Sequence, residues 1–163
     1  MKALQKSPIS AARAFECRYL KAPHFDANWH FHSEYQVFVV LRGTGTRFIG
    51  DHVHPFKPGD LVLTGPNLPH LWRSDPEYFD GDAEQWTEGI VIYFPEDLFA
   101  NKFLQKMETL QIRHLLSKAE SGISFHGATM EKVRAMMMQL LDKTDFDSIM
   151  QLLAILQVLA QSE

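Results

Sequence analysis

The residues best suited to chemistry lie in two short blocks. The first is His30-Phe31-His32-Ser33-Glu34-Tyr35-Gln36. The second, Pro66-Asn67-Leu68-Pro69-His70, follows a stretch of strand-like sequence. Residues two apart on a strand point to the same side, so His30, His32, Glu34 and Gln36 share one face if the strand is regular. Turned into a barrel, that face meets His70, which a neighbouring strand delivers after a proline-rich bend. Imidazole nitrogens suit zinc, iron, nickel and copper, and two histidines at i, i+2 can span one ion. Gln36 is a weak, neutral ligand, and Glu34 a stronger one where its geometry allows. The candidate metal set is therefore His30, His32, Gln36 and His70, around a divalent transition metal such as zinc, nickel or iron. The same groups also suit hydrogen bonds to internal water or to a bound small molecule, and both readings stay open on the sequence.

A small β-barrel is the element that would position them. Phe15, Cys17 and Tyr19 alternate with Glu16 and Arg18, the pattern of a half-buried strand. Trp29 to Leu41 reads as one long strand ending at Arg42-Gly43-Thr44-Gly45. Shorter strands follow over Thr46–Ile49, His52–Phe56, Leu61–Thr64, His70–Ser74 and Gly89–Phe94. They are separated by turns at Gly50-Asp51 and Lys57-Pro58-Gly59-Asp60. The acidic stretch 75–88, with Pro76, Gly81 and Asp82, reads as an exposed loop. Short strands at this spacing predict a sandwich or barrel. Phe38 and Val40 continue the histidine face and would floor a pocket. Trp72 shares the parity of His70, so it either stacks on a ligand or serves as a core aromatic. The candidate effector-binding residues are thus His30, His32, Gln36, Phe38, His70 and Trp72.

Near residue 95 the pattern changes to helical periodicity. A short helix is expected over Glu96–Phe103, and another marked by Met107, Leu110, Leu115 and Leu116. Gly122–Phe125 reads as extended. Two amphipathic helices follow, carried by Met130, Val133, Met137, Leu140 and Leu141, and by Ile149, Leu152, Leu153, Leu156 and Leu159. Thr144-Asp145-Phe146-Asp147 joins them, where either aspartate can cap the second helix. So short a link predicts an antiparallel hairpin. Ile155 and Val158 broaden the apolar stripe of the last helix, which then needs burial on more than one side, and a second subunit would supply it.

The chain has 163 residues, 45% hydrophobic and 22% charged, enough for one domain with its own core. A single cysteine, Cys17, rules out an internal disulfide and fits a reducing compartment, where it serves as a small hydrophobe. No apolar run reaches transmembrane length, and the N-terminus lacks the apolar core of a signal peptide. The cytoplasm is the expected location. A net charge of −4 provides no electrostatic footprint for nucleic acid.

The two blocks resemble the paired motifs of the cupin superfamily. His30, His32 and Gly43 match the first motif, and Pro58, Gly59 and His70 the second. Gln36 stands where that motif carries glutamate, so the site lacks an anionic ligand. More narrowly, His-Phe-His-Ser-Glu-Tyr-Gln and Gly-Asp-Leu-Val-Leu-Thr-Gly-Pro-Asn-Leu-Pro-His-Leu-Trp-Arg-Ser resemble the N-terminal sensing domain of AraC-type transcription regulators. Leu-Leu-Ser-Lys-Ala-Glu-Ser-Gly-Ile-Ser-Phe (115–125) does too. The likeness runs from about Phe15 to Gln161. It implies a mostly β chain: a cupin-type double-stranded β-helix (a jelly-roll barrel) over residues 1–95, then a C-terminal α-helical segment over 96–163. It also implies an effector in the barrel, a homodimer formed through the helices, and DNA contact only through a helix-turn-helix domain beyond Glu163. A stand-alone metal-dependent cupin enzyme, a dioxygenase or isomerase, is the alternative. Gln36 and the lack of an acid–base residue nearby count against it.

Other residues are expected to be structural. Tyr35 and Phe31 fall opposite the histidine face and should pack. Arg47 and Arg73 could grip an acidic effector bidentately, but a surface position is the simpler expectation. His52 and His54 flank a turn and should be exposed. Gly59-Asp60 should serve turn geometry, and Met136-Met137-Met138 should be a contact stripe. His24, His114 and His126 have no partnered spacing.

Overall fold

In the computed structural model, which describes residues 2–81 and 84–162, the strands form two five-stranded sheets. Asp82 of the acidic loop and the terminal Met1 and Glu163 lie outside the described residues. The strands are β1 (Leu4–Gln5), β2 (Glu16–Ala22), β3 (His30–Phe31), β4 (Tyr35–Arg42), β5 (Gly45–Ile49), β6 (His52–Phe56), β7 (Leu61–Thr64), β8 (His70–Ser74), β9 (Thr87–Phe94) and β10 (Ile123–Phe125). One sheet runs β1-β3-β8-β5-β6 and the other β10-β7-β4-β9-β2. All pairings are antiparallel except β1 with β3. The architecture is the expected jelly-roll barrel followed by helices.

The central strands β7, β4 and β9 of the second sheet are buried on both faces, which explains why they read as apolar runs. Phe38, Val40, Val62 and Val91 point into the barrel with Phe25, Ile49, Phe56 and Trp72. The alternate residues Val37, Val39, Leu61, Leu63, Ile90, Ile92 and Phe94 face outward into a second core. That core is closed by α2 (Leu110–Lys118), α3 (Gly127–Leu140) and α4 (Asp145–Ala160). The helices contribute Leu115, Leu116, Val133, Met137, Leu140, Leu152, Ile155, Leu156 and Leu159. The first sheet has a solvated outer side. Its edge strand β6 carries Pro55, which lacks an N–H to donate and is tolerated at an edge. His52 and His54 on this strand are exposed, as expected.

Several elements differ from expectation. The single strand Trp29–Leu41 is broken at His32–Glu34. β3 belongs to one sheet and β4 to the other, so the chain turns a barrel corner there. β1 was not foreseen; it is held by Leu4 N–H donating to Trp29 O and Lys6 N–H to Phe31 O. The loop 75–88 contains a 3-10 turn over Pro76–Phe79, and β9 begins at Thr87, whose side chain is buried and donates to Ala22 O. The expected helix Glu96–Phe103 is a 3-10 turn (Glu96–Leu98) and then the short α1 (Asn101–Leu104). A further 3-10 turn, Met107–Thr109, leads into α2. Neither aspartate caps α4. Thr144 holds the N-cap position without a side-chain cap bond, while Asp145 and Asp147 lie in the first turn, where the helix dipole favours negative charge. In the Met136-Met137-Met138 stripe, Met137 is fully buried and Met138 exposed.

Two glycines are required by close approach. A Cβ on Gly45 would sit 2.1 Å from the Arg73 carbonyl oxygen and 2.8 Å from the Phe56 ring. One on Gly89 would meet the Phe38 ring at 2.6 Å, so Gly89 leaves room for Phe38 to lie across the barrel interior.

Candidate functional site

The corner between β3 and β4 decides how the histidines meet. His30 pairs with His70 across the β3–β8 ladder, and their rings sit edge-on with centroids 4.6 Å apart. His32 lies just beyond β3, and its ring is 5.0 Å from that of His70. One ligand atom from each of the three lies within 4.8 Å of the others, and all three side chains are buried. Gln36 enters from β4, with Oε1 3.2 Å from Nε2 of both His32 and His70. The structure thus brings together His30, His32, Gln36 and His70. Glu34 does not join them, because the bend turns it aside. Its Oε2 is buried without a hydrogen-bond partner, 3.7 Å from Nδ1 of His32, on the side of the ring away from Gln36.

Each histidine of the cluster is oriented from behind. The Nδ1–H of His30 donates to Asn28 O at 2.7 Å, that of His32 to Glu34 O at 3.0 Å, and that of His70 to Leu68 O at 2.7 Å. A carbonyl oxygen only accepts, so Nδ1 carries the proton and Nε2 of each neutral ring is a bare lone pair. Burial keeps the rings neutral. It pushes the pKa of His30 and His32 down and that of His70 down to about 3. Two bare Nε2 atoms and a carbonyl oxygen at 3.2 Å are all acceptors with no proton between them. This arrangement fits a cation, and backbone-anchored imidazoles are the usual support of a metal ligand. The three buried histidines can hold a metal.

The cluster closes one side of a cavity of about 520 Å³. His30, Gln36 and His70 reach its wall, whereas His32 lies behind them. Phe38 and Trp72, both expected here, line it, with ring centroids 4.8 Å apart in an edge-on pair. Phe25, Leu20 and Val91 extend the apolar lining, and Lys6, Arg18 and Asp26 add charge. Lys6 and Asp26 are paired with each other.

Several lining residues escaped the sequence reading. Tyr93 stands on β9 directly opposite Gln36, edge-on to His32 at 5.2 Å, and burial pushes its phenol up to about 12. The alternation of Val91 with Tyr93 was legible, but only the β4–β9 register tells which side is inside. Lys6 had no local signal, because β1 brings it there by pairing with β3.

Arg47 corrects another expectation. It is buried, not on the surface: its Nε lies 3.0 Å from Asp60 Oδ2, and its Nη2 donates to Ser124 Oγ at 2.8 Å. Asp60 in turn accepts from the Trp72 indole N–H at 3.3 Å. Burial pushes the Asp60 carboxyl above its ordinary range, and Arg47 opposes the rise. Asp60 therefore does more than shape its turn: it fixes a cavity-lining ring. Arg73 is exposed, as expected, and lies over Phe48.

The fold has counterparts among known proteins. ToxT from Vibrio cholerae superposes with a TM-score of 0.56 at 12% identity, over 86% of this chain and 53% of ToxT. The AraC-like transcriptional activator CuxR superposes with a TM-score of 0.53 at 12% identity, over 78% of this chain and 41% of its own. A cupin 2 conserved barrel domain protein from Rhodopseudomonas palustris aligns at 18% identity over 53% of this chain and 55% of that one, with a TM-score of 0.41. The chain thus spans about half the length of these structures. No curated protein matches its sequence. The family model for the AraC-like ligand binding domain matches residues 14–157, so the barrel with its histidine-walled cavity and the helices behind it belong to the AraC-like ligand binding domain family.

Proposed function

We propose that this chain is the effector-sensing and dimerisation domain of an AraC-type transcription regulator acting in the bacterial cytoplasm. The observation that carries the reading is the cavity of about 520 Å³, apolar on one side and walled by converging polar groups on another, in a chain of this family. The effector is a small molecule contacting His30, Gln36, Phe38, His70 and Trp72, with His32 standing behind them in the same cluster. Barrel (1–95) and helices (96–163) act as one unit. In support, the outward face of the second sheet and the three helices share a single core, so a change at the cavity wall can reach the helices through β4 and β9. An effector that binds two arrangements of that unit with different affinity shifts their balance. DNA contact belongs to a downstream domain. The homodimer reading is supported by Phe146, Met150 and Leu153, which leave an apolar stripe exposed on α4.

His30, His32, Gln36 and His70 form the metal set, for zinc, nickel or iron. A metal bound there supplies positive charge and Lewis acidity to the cavity wall. The residues around it hold and orient ligands; of the described carboxylates nearby, Glu34 stands behind His32 and Asp26 is paired with Lys6, so neither faces the cluster as a general base. That favours a sensor over the alternative, a cupin dioxygenase or isomerase.

The test is a thermal-shift screen of metal ions, sugars and small aromatic acids, with light scattering for mass. Ligands that raise the melting temperature in proportion to the logarithm of their excess, on a dimeric protein, are the expected result. No shift with any class, on a strictly monomeric protein, refutes the reading. Turnover of an added substrate would favour the enzyme.

A further inference from the structure

Among the described residues, the groups that converge as ligands on the histidine cluster are all neutral. The Nε2 atoms of His30, His32 and His70 are lone pairs because each Nδ1–H is committed to a backbone carbonyl, and the fourth group, Gln36 Oε1, belongs to a neutral amide. A divalent cation held by this set keeps both of its charges. The nearby carboxylates do not cancel them. Asp26 lines the cavity but is already paired with Lys6. Glu34 stands behind His32, 3.7 Å from Nδ1, and offsets one unit from there. Arg18, also in the lining, is paired with Glu16 at 3.8 Å. The loaded site is therefore a net cation in the wall of a cavity that Phe25, Phe38, Trp72 and Val91 line on its apolar side, and an uncompensated charge beside that side is costly.

We infer that the metal-loaded cavity selects an anion: a small carboxylate that takes a further position on the metal while its apolar body lies against Phe38 and Trp72, with the neutral Gln36 as the residue that sets this preference. The inference rests on the metal-and-effector reading above and names the ligand class for that site. Zinc and its neighbours accept a fifth ligand, and the cavity reaches three of the four metal-binding side chains, His30, Gln36 and His70. A glutamate at position 36 would bind the cation more tightly and remove one unit of the charge that recruits the anion. The two effects have opposite signs, so they separate a charge-selecting role for Gln36 from a merely structural one.

The experiment loads the purified chain with cobalt(II) alone, followed by calorimetry and by its visible absorption. Azide, benzoate and the neutral isostere benzamide are then titrated into the loaded and the metal-free protein, and into Gln36→Glu. The expected result has three parts. Azide and benzoate change the cobalt spectrum. Benzoate binds the loaded protein at least about tenfold more tightly than benzamide or than the metal-free protein. Gln36→Glu holds cobalt at least as tightly while losing about tenfold in benzoate affinity, about 1.4 kcal/mol. Cobalt binding with no response to either anion, equal affinity for benzoate and benzamide, or undiminished benzoate affinity in a folded Gln36→Glu overturns the inference and leaves the sensor reading standing. Failure of cobalt itself to bind overturns the metal reading and the inference with it. Should Gln36→Glu not fold, the benzoate–benzamide contrast on the unsubstituted protein still decides.

Discussion

Removing either partner of the Arg47–Asp60 pair should cost far more than removing both. Each side chain is only 10% exposed, and Nε stands 3.0 Å from Oδ2. At that separation, with an effective dielectric of about 20, the attraction is about 5 kcal/mol before relaxation. Arg47→Met keeps most of the stem volume but strands the Asp60 carboxylate in the barrel wall and deprives Ser124 Oγ of its donor. Asp60→Asn keeps an acceptor for the Trp72 indole but strands the guanidinium. Each should lower unfolding free energy by about 3–5 kcal/mol, because each leaves a buried charge unpaired. The double variant leaves none, and should cost at least about 2 kcal/mol less than the sum of the two. The pH dependence is diagnostic. Burial already raises the Asp60 carboxyl, and without Arg47 it rises further. The folded Arg47→Met protein then takes up a proton above the unfolded carboxyl pKa, so its deficit is small in acid and grows as pH rises through the folded value. Urea denaturation of the four proteins at pH 5 and pH 8 reads both effects. Additive single effects, or a cost below about 1 kcal/mol for each, would show a pair no stronger than an exposed one and refute the argument.

Acid should destabilise the metal-free protein through His70. Its folded pKa is held at about 3 against an ordinary 6.5, so the unfolded chain binds an extra proton between those values and stability falls as pH drops through them. At pH 5 this amounts to about 2 kcal/mol; a metal-free denaturation series in which His70→Asn falls off with acid as steeply as the parent would contradict it. Gly45→Ala places a Cβ 2.1 Å from the Arg73 carbonyl oxygen and should force β5 from β8, costing about 2 kcal/mol or more; an unchanged melting temperature would show that the ladder yields freely. Leu156→Ala, fully buried between helices and sheet, should cost about 2–5 kcal/mol. Loss of less than about 1 kcal/mol would mean that the helices do not share a core with the outward face of the second sheet.

The barrel was legible because its strands obey local rules. Alternation over Phe15 to Tyr19, turn residues at Gly50-Asp51 and Lys57–Asp60, and apolar runs at Leu61–Thr64 and Gly89–Phe94 each follow from side-chain period and backbone freedom. The helices after residue 95 declared themselves by their three- and four-residue steps. Side-chain parity also puts His30, His32, Gln36, Phe38, His70 and Trp72 on a common interior. It does so although the single regular strand is not formed, since the bend at His32–Glu34 keeps His32 and Gln36 inward while diverting Glu34. Spacing and periodicity, then, determined a sandwich or barrel followed by helices and picked out the histidine set, while the jelly-roll form came from the resemblance to cupins. Tertiary structure alone decided that Tyr93 stands opposite Gln36, that Lys6 reaches the cavity through β1, and that Arg47 is buried against Asp60. The physical reason is the same in each case. These positions depend on register and pairing between segments distant in sequence, and the local periodicity of a segment carries no information about which neighbour it will meet.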